Sequence, residues 1–574
     1  MDAYRLGFVL GRAEPQSRVF VKRESRLETV VKMSSLANST VEANEVAARG
    51  TGRDEEKEAR QKQYKNVGKH EELRRRRNEC SVEIRKQKGQ DLLMKRRNLV
   101  ADDEEDDGAE TSETSDVDTP VKGAASVRMS CPEIKRMLMN NPNADQMRHC
   151  FESLRRMLSR SENPPIEEVI KEGLLDACIQ ALQINDDKLR YEACWSLTNI
   201  VSGTSEQTWA AVKAGATQHL VNLSVHPSLN VAEQALWAVA NIAGDSSQLR
   251  DLVIECRGLE AMLEIARHID SIPLSFARTL SWAFSNICRH KNPSASLEAL
   301  RLICQALPSL LNYSDKQVRH DALWAVSYLT DGNDEQISLS VSSGVIDIIF
   351  STLQSSDTQL IAPSLRALGN VCTGNDDLTQ YVINLGLLKE IIPLVERVKS
   401  TVTMKESTWL LSNILAGTQD QIQAVINAGL LPYLKEVLKS GDYKCQYEAI
   451  WALANIATGG TSQQILSMVH EGIVTELSLM LSMKSSEIVC LTLETIYTCL
   501  CNVANLTPDV MDTLKDSIEE MGALDKLEEL QNSDNDKIYQ NAYRIISEFF
   551  SDEDGVPADD AGDENQPPTQ QYNF

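Results

Sequence analysis

The sequence predicts an all-α fold built as a solenoid of stacked helical repeats, and three observations carry that expectation. A glycine followed by an apolar helical pattern recurs at Gly173, Gly215, Gly258, Gly344, Gly386, Gly429 and Gly472, in steps of 42 or 43 residues with one double step of 86. A helical Trp, usually with Asn four positions later, follows most of these glycines by 22 to 24 residues. Aromatic residues make up only 5% of the chain while Leu, Ala, Ile and Val dominate, a mixture that suits helix stacking better than a sheet sandwich.

At 574 residues the chain is too long for one hydrophobic core, whereas an array of small units that each contact only their neighbours has no such limit. Each unit reads as a short helix, a glycine break and two longer helices. That length and helix number indicate armadillo-type stacking rather than the two-helix tetratricopeptide unit of roughly 34 residues. The predicted fold class is all-α, a right-handed superhelical armadillo-repeat solenoid of about ten repeats over residues 130–550, with disordered N- and C-terminal flanks.

The flanks divide by composition. Residues 1–55 form a polar N-terminal extension, 56–100 a basic segment, 101–129 an acidic linker and 551–574 an acidic tail rich in Asp, Gly, Pro and Gln. Between Asp102 and Asp118 there are ten Asp/Glu and no Lys/Arg. None of these stretches has the apolar surface to fold alone.

Formal charge is −25, yet residues 57–98 hold fifteen Lys/Arg against six acidic side chains, a local +9 that leaves −34 on the remainder. A basic segment tethered to an acidic body makes a basic peptide the expected partner of the body, not nucleic acid. Thirteen cysteines are scattered without a CxxC pair, several in apolar helical stretches (Cys194, Cys288, Cys490), a usage that fits a reducing compartment. The stretch from Met1 to Gly11 is too short and too acidic for a secretory signal, and no window reads as the roughly 18 apolar residues of a membrane span. A soluble intracellular protein with no membrane partner is expected.

The Trp/Asn pairs are Trp195/Asn199, Trp237/Asn241, Trp282/Asn286, Trp409/Asn413 and Trp451/Asn455, with departures at Trp324/Tyr328 and Arg366/Asn370. One isolated helical Trp reads first as core packing. Here Leu197 lies about 200° around the helix from Trp195 but Asn199 only about 40°, so indole and amide share a face opposite the apolar residues. A buried Asn in five units would leave an amide to satisfy each time, so an exposed ladder along the concave wall is expected.

An Asn side chain offers one donor group and one acceptor, and successive asparagines can clamp an extended backbone without reading its sequence. Neighbouring indoles are expected as parallel walls about 8–10 Å apart, a slot for the stem of Lys or Arg, with the cationic head contributing on the order of 0.5–2 kcal/mol per site. Asp245, four residues after Asn241, is placed to accept an ammonium, although a solvated helix-end carboxylate has the same spacing. The uniform pairs fall into two stretches. Between them Arg289, Lys291 and Arg366 are expected to put positive charge in or near the groove, disfavouring continuous basic cargo and suiting a bipartite one.

In the basic segment, Arg74 to Arg77 with Val82, Ile84 and Arg85 could form a basic helix for an acidic partner, and Lys95, Arg96 and Arg97 make a second cluster. Such runs also occur in RNA-binding segments and plain nuclear signals. Because the same chain carries a groove suited to Lys and Arg, tethering by about thirty residues would hold Lys95 to Arg97 near it at roughly millimolar effective concentration, as a competitor in cis.

The motifs RRRRNECSVEIRKQK and KRRN, the helices WSLTNIVSGTSEQT, WAVANIAGD, WAFSNICRHKNP, WAVSYLTDGND and WALANIATGG, and the terminal GALDKLEELQNSDNDKIYQNAYRIISEFF closely resemble the importin-α family over about residues 55–555. The resemblance implies a nuclear import adaptor with an autoinhibitory importin-β-binding segment, in which Arg74, Arg75, Arg76, Arg77, Arg85, Lys86 and Lys88 engage importin-β and Lys95, Arg96 and Arg97 occupy the groove. It implies a major signal-binding site at Trp195, Asn199, Gly203, Thr208, Trp237, Asn241, Asp245, Trp282 and Asn286. It implies a minor site at Tyr328, Arg366, Asn370, Thr373, Trp409, Asn413, Glu448, Trp451 and Asn455. Proteins with Lys/Arg-rich nuclear localisation signals, importin-β, an export receptor with Ran-GTP and nuclear pore components follow as partners, with shuttling between cytoplasm and nucleus. The alternative class, a catenin-like armadillo scaffold, has a generally basic groove for acidic ligands, unlike this acidic body. No phosphate loop, metal-spaced His/Cys set or HExxH supports an enzyme, and no catalytic residue, metal or cofactor is expected.

Overall fold

The computed structural model describes residues 95–98 and 129–550, and the described residues from Cys131 to Phe550 form helices joined by short turns. Residues 1–94, including Arg74 to Arg77, Arg85, Lys86 and Lys88, lie outside the described residues, as do 99–128 and 551–574. The chain divides into two compact units, residues up to Gly417 and residues from Thr418 onward. Each is a stack of armadillo repeats.

In most repeats only the third helix is long, which corrects the expected pair of longer helices; Leu297–Leu311, as long as the helix that follows it, is an exception. The repeat around Gly215 is representative, with helices Ser205–Lys213, Ala216–Leu223 and Leu229–Asp245. The first of these short helices opens on a reciprocal capping box, Thr204 with Gln207, and the same device recurs at Asn333/Gln336, Thr418/Gln421 and Thr461/Gln464. Such a box satisfies two N-terminal donors, which helps a helix of nine residues that would be marginal alone.

The break between the two short helices is a left-handed residue. Gly215 has φ 91°, and a Cβ there would meet no neighbour, so glycine is favoured by its dihedral and not by crowding. At the third repeat the expectation of a glycine break at Gly258 shifts by one residue: Arg257 adopts φ 67° and Gly258 begins the helix. A Cβ on Gly258 would lie 2.8 Å from the Val253 carbonyl, so glycine is required there by space.

In the first unit the long helices are α1 (Asp187–Val201), preceding the short α2 (Ser205–Lys213), then α3 (Leu229–Asp245), α4 (Leu274–Arg289), α5 (Lys316–Thr330), α6 (Thr358–Val371) and α7 (Thr401–Leu415). Successive long helices pack on one another and bury Leu197, Ile200, Leu236, Val239, Leu280, Phe284, Leu323, Val326, Leu365 and Leu411. Fully burying each such side chain contributes roughly 1.5–3 kcal/mol. Polar stitches run between coils as well, for example Thr198 Oγ1 to the Gln234 carbonyl (3.1 Å) and Ser281 Oγ to the Val318 carbonyl (2.7 Å).

The second unit repeats this scheme with long helices α8 (Tyr443–Gly459), α9 (Ser486–Leu506) and α10 (Asp536–Ile545). Contrary to the hydropathy expectation, α9 is long and apolar enough to cross a membrane by length and composition alone. Its Ile488, Leu493, Ile496, Leu500 and Val503 are instead buried, with α8 and α10 packed against it.

Candidate peptide groove

Residues Lys95 to Asn98 lie along the long helices of the first unit, antiparallel to the order of the repeats. Asn98 meets α1 and Arg96 meets α3. The contacts are to the main chain. Asn241 Oδ1 accepts the Arg96 N–H at 2.9 Å while its Nδ2 and the Trp237 indole N–H donate to the Arg96 carbonyl at 3.0 and 2.8 Å. One repeat earlier the pattern is the same. Asn199 Oδ1 accepts the Asn98 N–H at 2.9 Å, and Asn199 Nδ2 and Trp195 Nε1 both donate to the Asn98 carbonyl at 3.0 Å. Alternate residues of an extended segment point their main-chain groups the same way, so one Asn/Trp pair per repeat grips every second residue.

These amides are buried, against the expectation of a solvent-exposed ladder. Asn199, Asn241, Asn286 and Asn413 have no exposed surface, and Trp282 and Trp409 are almost fully covered. Residues 95–98 cover Asn199 and Asn241, and a second hydrogen bond holds most of these amides between coils. Asn241 Nδ2 also donates to the Thr198 carbonyl, Asn286 Nδ2 to Ala240, Asn370 Nδ2 to Ser327 and Asn413 Nδ2 to Gly369, each a carbonyl of the preceding repeat. One amide therefore ties two coils together, and Asn199 and Asn241 also face the groove. The Nδ2 donors of these buried amides are therefore satisfied between coils.

The indoles also depart from the expected parallel walls. Trp237 and Trp282 meet edge to face, with centroids 6.4 Å apart and planes at 73°. Edge contact suits the ring quadrupoles and leaves a face of Trp282 for the Arg96 guanidinium, 4.7 Å from the ring centroid. Trp195 already carries the Arg155 guanidinium at 4.6 Å, held by the Glu192 carboxylate, whose pKa burial pushes above the usual range. Trp409 packs on Gly369, where a Cβ would approach its ring to 2.3 Å, so this glycine makes room for the next repeat's indole.

Two acidic sites receive the basic side chains. Lys95 Nζ is held by the Gly203 carbonyl at 3.0 Å, Thr208 Oγ1 at 2.8 Å and Asp245 Oδ1 at 2.5 Å, three acceptors for the three hydrogens of an ammonium. Arg96 reaches Asp321, a fully buried carboxylate that sequence reading missed, at 3.2 Å. Asp321 Oδ1 also accepts from Gln317 Nε2 at 3.1 Å and faces His320 Nδ1 at 3.3 Å. Its place one turn before Trp324 was the available signal. The Arg97 guanidinium, by contrast, has Nε and Nη2 shielded from solvent without a hydrogen-bond partner among the described residues, and burial lowers its pKa.

Further along the first unit, Asn370 and Thr373 line a cleft of about 410 Å³ together with Lys291, Asp331 and Gln336. The Thr373 hydroxyl donates to the Asn370 carbonyl at 2.6 Å. The counterpart of Thr208 is instead Thr379. Thr208 Oγ1 donates to the Val201 and Thr204 carbonyls and Thr379 Oγ1 to the equivalent Cys372 and Asn375 carbonyls. Gly203/Thr208 and Gly374/Thr379 share a Gly-x4-Thr spacing that the sequence displays.

The positive charge expected between the two stretches is largely balanced. Arg366 pairs with the buried Glu406 at 3.0 Å and lies 5.0 Å from the Trp324 ring centroid, and Lys291 pairs with Asp331. Tyr328 is half-buried near Arg289 and Arg366, and desolvation raises its pKa. In the second unit, Glu448 and Asn455 are buried on α8 and Trp451 is partly exposed on the same helix.

Comparison with known proteins adds an independent line. The Importin beta binding domain family matches residues 60–150, Armadillo/beta-catenin-like repeats match 162–202, 204–244 and 418–458, and an atypical Arm repeat matches 512–568. Importin subunit alpha-2 of Caenorhabditis elegans is 53% identical over 495 residues, covering 86% of this chain and 93% of that protein. Importin subunit alpha-3 of Arabidopsis thaliana is 34% identical over 523 residues, covering 90% and 96%. A crystal structure of an engineered protein from the Northeast Structural Genomics Consortium is similar at a TM-score of 0.63 and 25% identity, covering 73% of this chain and 99% of its own.

Proposed function

Since the chain belongs to the importin-α family, we propose that it is a nuclear import adaptor whose groove binds Lys/Arg-rich localisation signals and whose N-terminal basic segment both recruits importin-β and occupies the groove when importin-β is absent. The observation that carries this reading is the seating of Lys95 against Gly203, Thr208 and Asp245 while Asn199 and Asn241 hold the neighbouring main chain. A cargo lysine in the same pocket would compete directly with Lys95.

In this reading residues 56–100 are the importin-β-binding and autoinhibitory segment, with Arg74 to Arg77, Arg85, Lys86 and Lys88 on the importin-β side. Residues 101–129 are the linker and 130–550 the solenoid. The major site comprises Trp195, Asn199, Gly203, Thr208, Trp237, Asn241, Asp245, Trp282 and Asn286, to which Asp321 adds an arginine contact supported by its 3.2 Å distance to Arg96. A second station on the first unit involves Tyr328, Arg366, Asn370, Thr373, Trp409 and Asn413, to which Gly374 and Thr379 are added by their match to Gly203 and Thr208. Glu448, Trp451 and Asn455 carry the same pattern on the second unit. The protein has no catalytic role of its own, and it shuttles between cytoplasm and nucleus with an export receptor, Ran-GTP and pore components as further partners.

The test is capture of the full chain on an immobilised peptide bearing a Lys/Arg cluster, with and without importin-β. Stronger capture when importin-β is present supports the reading. Equal, weak capture of the basic peptide and of its alanine version in both conditions overturns it.

A further inference from the structure

The lysine pocket is built from helix ends of opposite character. Asp245 is the last residue of α3, where the helix dipole presents its negative end and disfavours a carboxylate. Ser205 is the first residue of α2, where unsatisfied N–H groups present the positive end. The Ser205 hydroxyl donates to Asp245 Oδ2 at 2.8 Å while Asp245 Oδ1 takes Lys95 at 2.5 Å, so the two carboxylate oxygens have separate partners. The Asp245 side chain is only 4% exposed, yet Ser205 itself is on the surface. The Lys95 ammonium is held by Gly203, Thr208 and Asp245, and the Ser205 hydroxyl reaches it through Asp245.

We propose that Ser205 is a positioning residue for the proposed signal-binding pocket: its hydrogen bond fixes the rotation of the Asp245 carboxylate so that Oδ1 completes, with Gly203 and Thr208, a three-acceptor cup selective for lysine over arginine. A carboxylate that turns freely still attracts a cation but does not hold one oxygen at the apex of a tetrahedral ammonium. The planar fork of arginine gains little from that restraint, because its donors lie in one plane. Removing the hydroxyl therefore lowers lysine affinity more than arginine affinity.

The inference rests on the proposed groove function, and the test separates the two. The full chain carrying Lys95→Ala, Arg96→Ala and Arg97→Ala leaves the groove free for a fluorescent peptide copying residues 92–100, and a second peptide has arginine in place of the lysine. Ser205→Ala in that background is expected to weaken the lysine peptide by about three- to tenfold, the order of one ordinary net hydrogen bond, with the arginine peptide changed less than twofold. Ser205→Thr, which keeps the hydroxyl, is expected to retain the parent's preference. Equal effects of Ser205→Ala on both peptides, no effect on either, or loss of preference in Ser205→Thr overturns the inference. Failure of the parent itself to bind the lysine peptide better than an all-alanine control would instead remove the groove reading beneath it.

Discussion

Arg366 Nη2 lies 3.0 Å from Oε1 of Glu406, a carboxylate with no exposed surface, and Lys405 Nζ approaches the same oxygen to 3.1 Å. Burial works against the Arg366 charge, but the Glu406 carboxylate raises its pKa overall. A carboxylate buried between two cations is the part of such a cluster that cannot be removed cheaply. Glu406→Gln leaves both cations without their shared anion and is expected to cost roughly 3 kcal/mol. Arg366→Ala leaves Lys405 in place and is expected to cost less. Urea denaturation of the two variants measures the order, and a larger loss in Arg366→Ala contradicts it.

Asn241 connects the Arg96 main chain to the Thr198 carbonyl, so its loss acts on two levels. Asn241→Ala is expected to lower stability by about 0.5–1.5 kcal/mol through the lost hydrogen bond to the Thr198 carbonyl, which keeps its bond from the Ser202 N–H, and to free residues 95–98. Trypsin should then cut after Lys95, Arg96 or Arg97 several-fold faster than in the wild type. Asn370→Ala removes a comparable bond to the Ser327 carbonyl without touching residues 95–98, so it should lose stability without gaining those cuts. Mass spectrometry of early digests decides between local release and general loosening.

What the sequence made legible was whatever repeats along one helix. The period, the left-handed glycines such as Gly215 and the shared face of Trp195 and Asn199 all follow from spacing within a unit. The pocket residues Gly203, Thr208 and Asp245 do meet at one ammonium. What stayed hidden depends on a partner about one repeat away. The second bond of each Asn, the edge-to-face indoles and the Glu406 carboxylate under Arg366 are set by how coils stack, which no single helix records. Thr379 stayed hidden for a related reason: its match to Thr208 shows only when two repeats are compared at the same offset.

Acid should expose another set of inter-repeat contacts. Arg278 donates to both oxygens of Asp315, which also caps the Gln317 and Val318 N–H groups, and Arg278 is the largest influence lowering the Asp315 pKa. A carboxyl whose folded pKa is depressed contributes stability above its unfolded pKa and loses it as pH falls through the folded value. The contribution is thus present at neutral pH and fades as pH falls below the ordinary aspartate value of about 3.9 toward the lower folded value. Arg278→Met should flatten this part of the curve. Urea midpoints across that range test the point, and parallel curves for wild type and variant would contradict it.

Asp245→Lys and the triple variant Lys95→Ala, Arg96→Ala, Arg97→Ala should both empty the groove of the basic segment, but for opposite reasons. In the triple variant the pocket is intact and lacks its internal ligand, so a lysine-bearing signal peptide should bind more tightly than to wild type when importin-β is absent. In Asp245→Lys the ammonium of the new side chain stands where Lys95 Nζ is received, beside Gly203 and Thr208, and like charges at such short range in a mostly covered site oppose each other strongly. Tryptic cuts after Lys95 to Arg97 should appear in Asp245→Lys as in Asn241→Ala, yet a peptide with a single basic cluster should no longer bind at the major site. Fluorescence anisotropy with that peptide reads both outcomes. Full affinity in Asp245→Lys would mean the lysine is recognised elsewhere, and unchanged affinity in the triple variant would mean residues 95–97 do not restrain the groove.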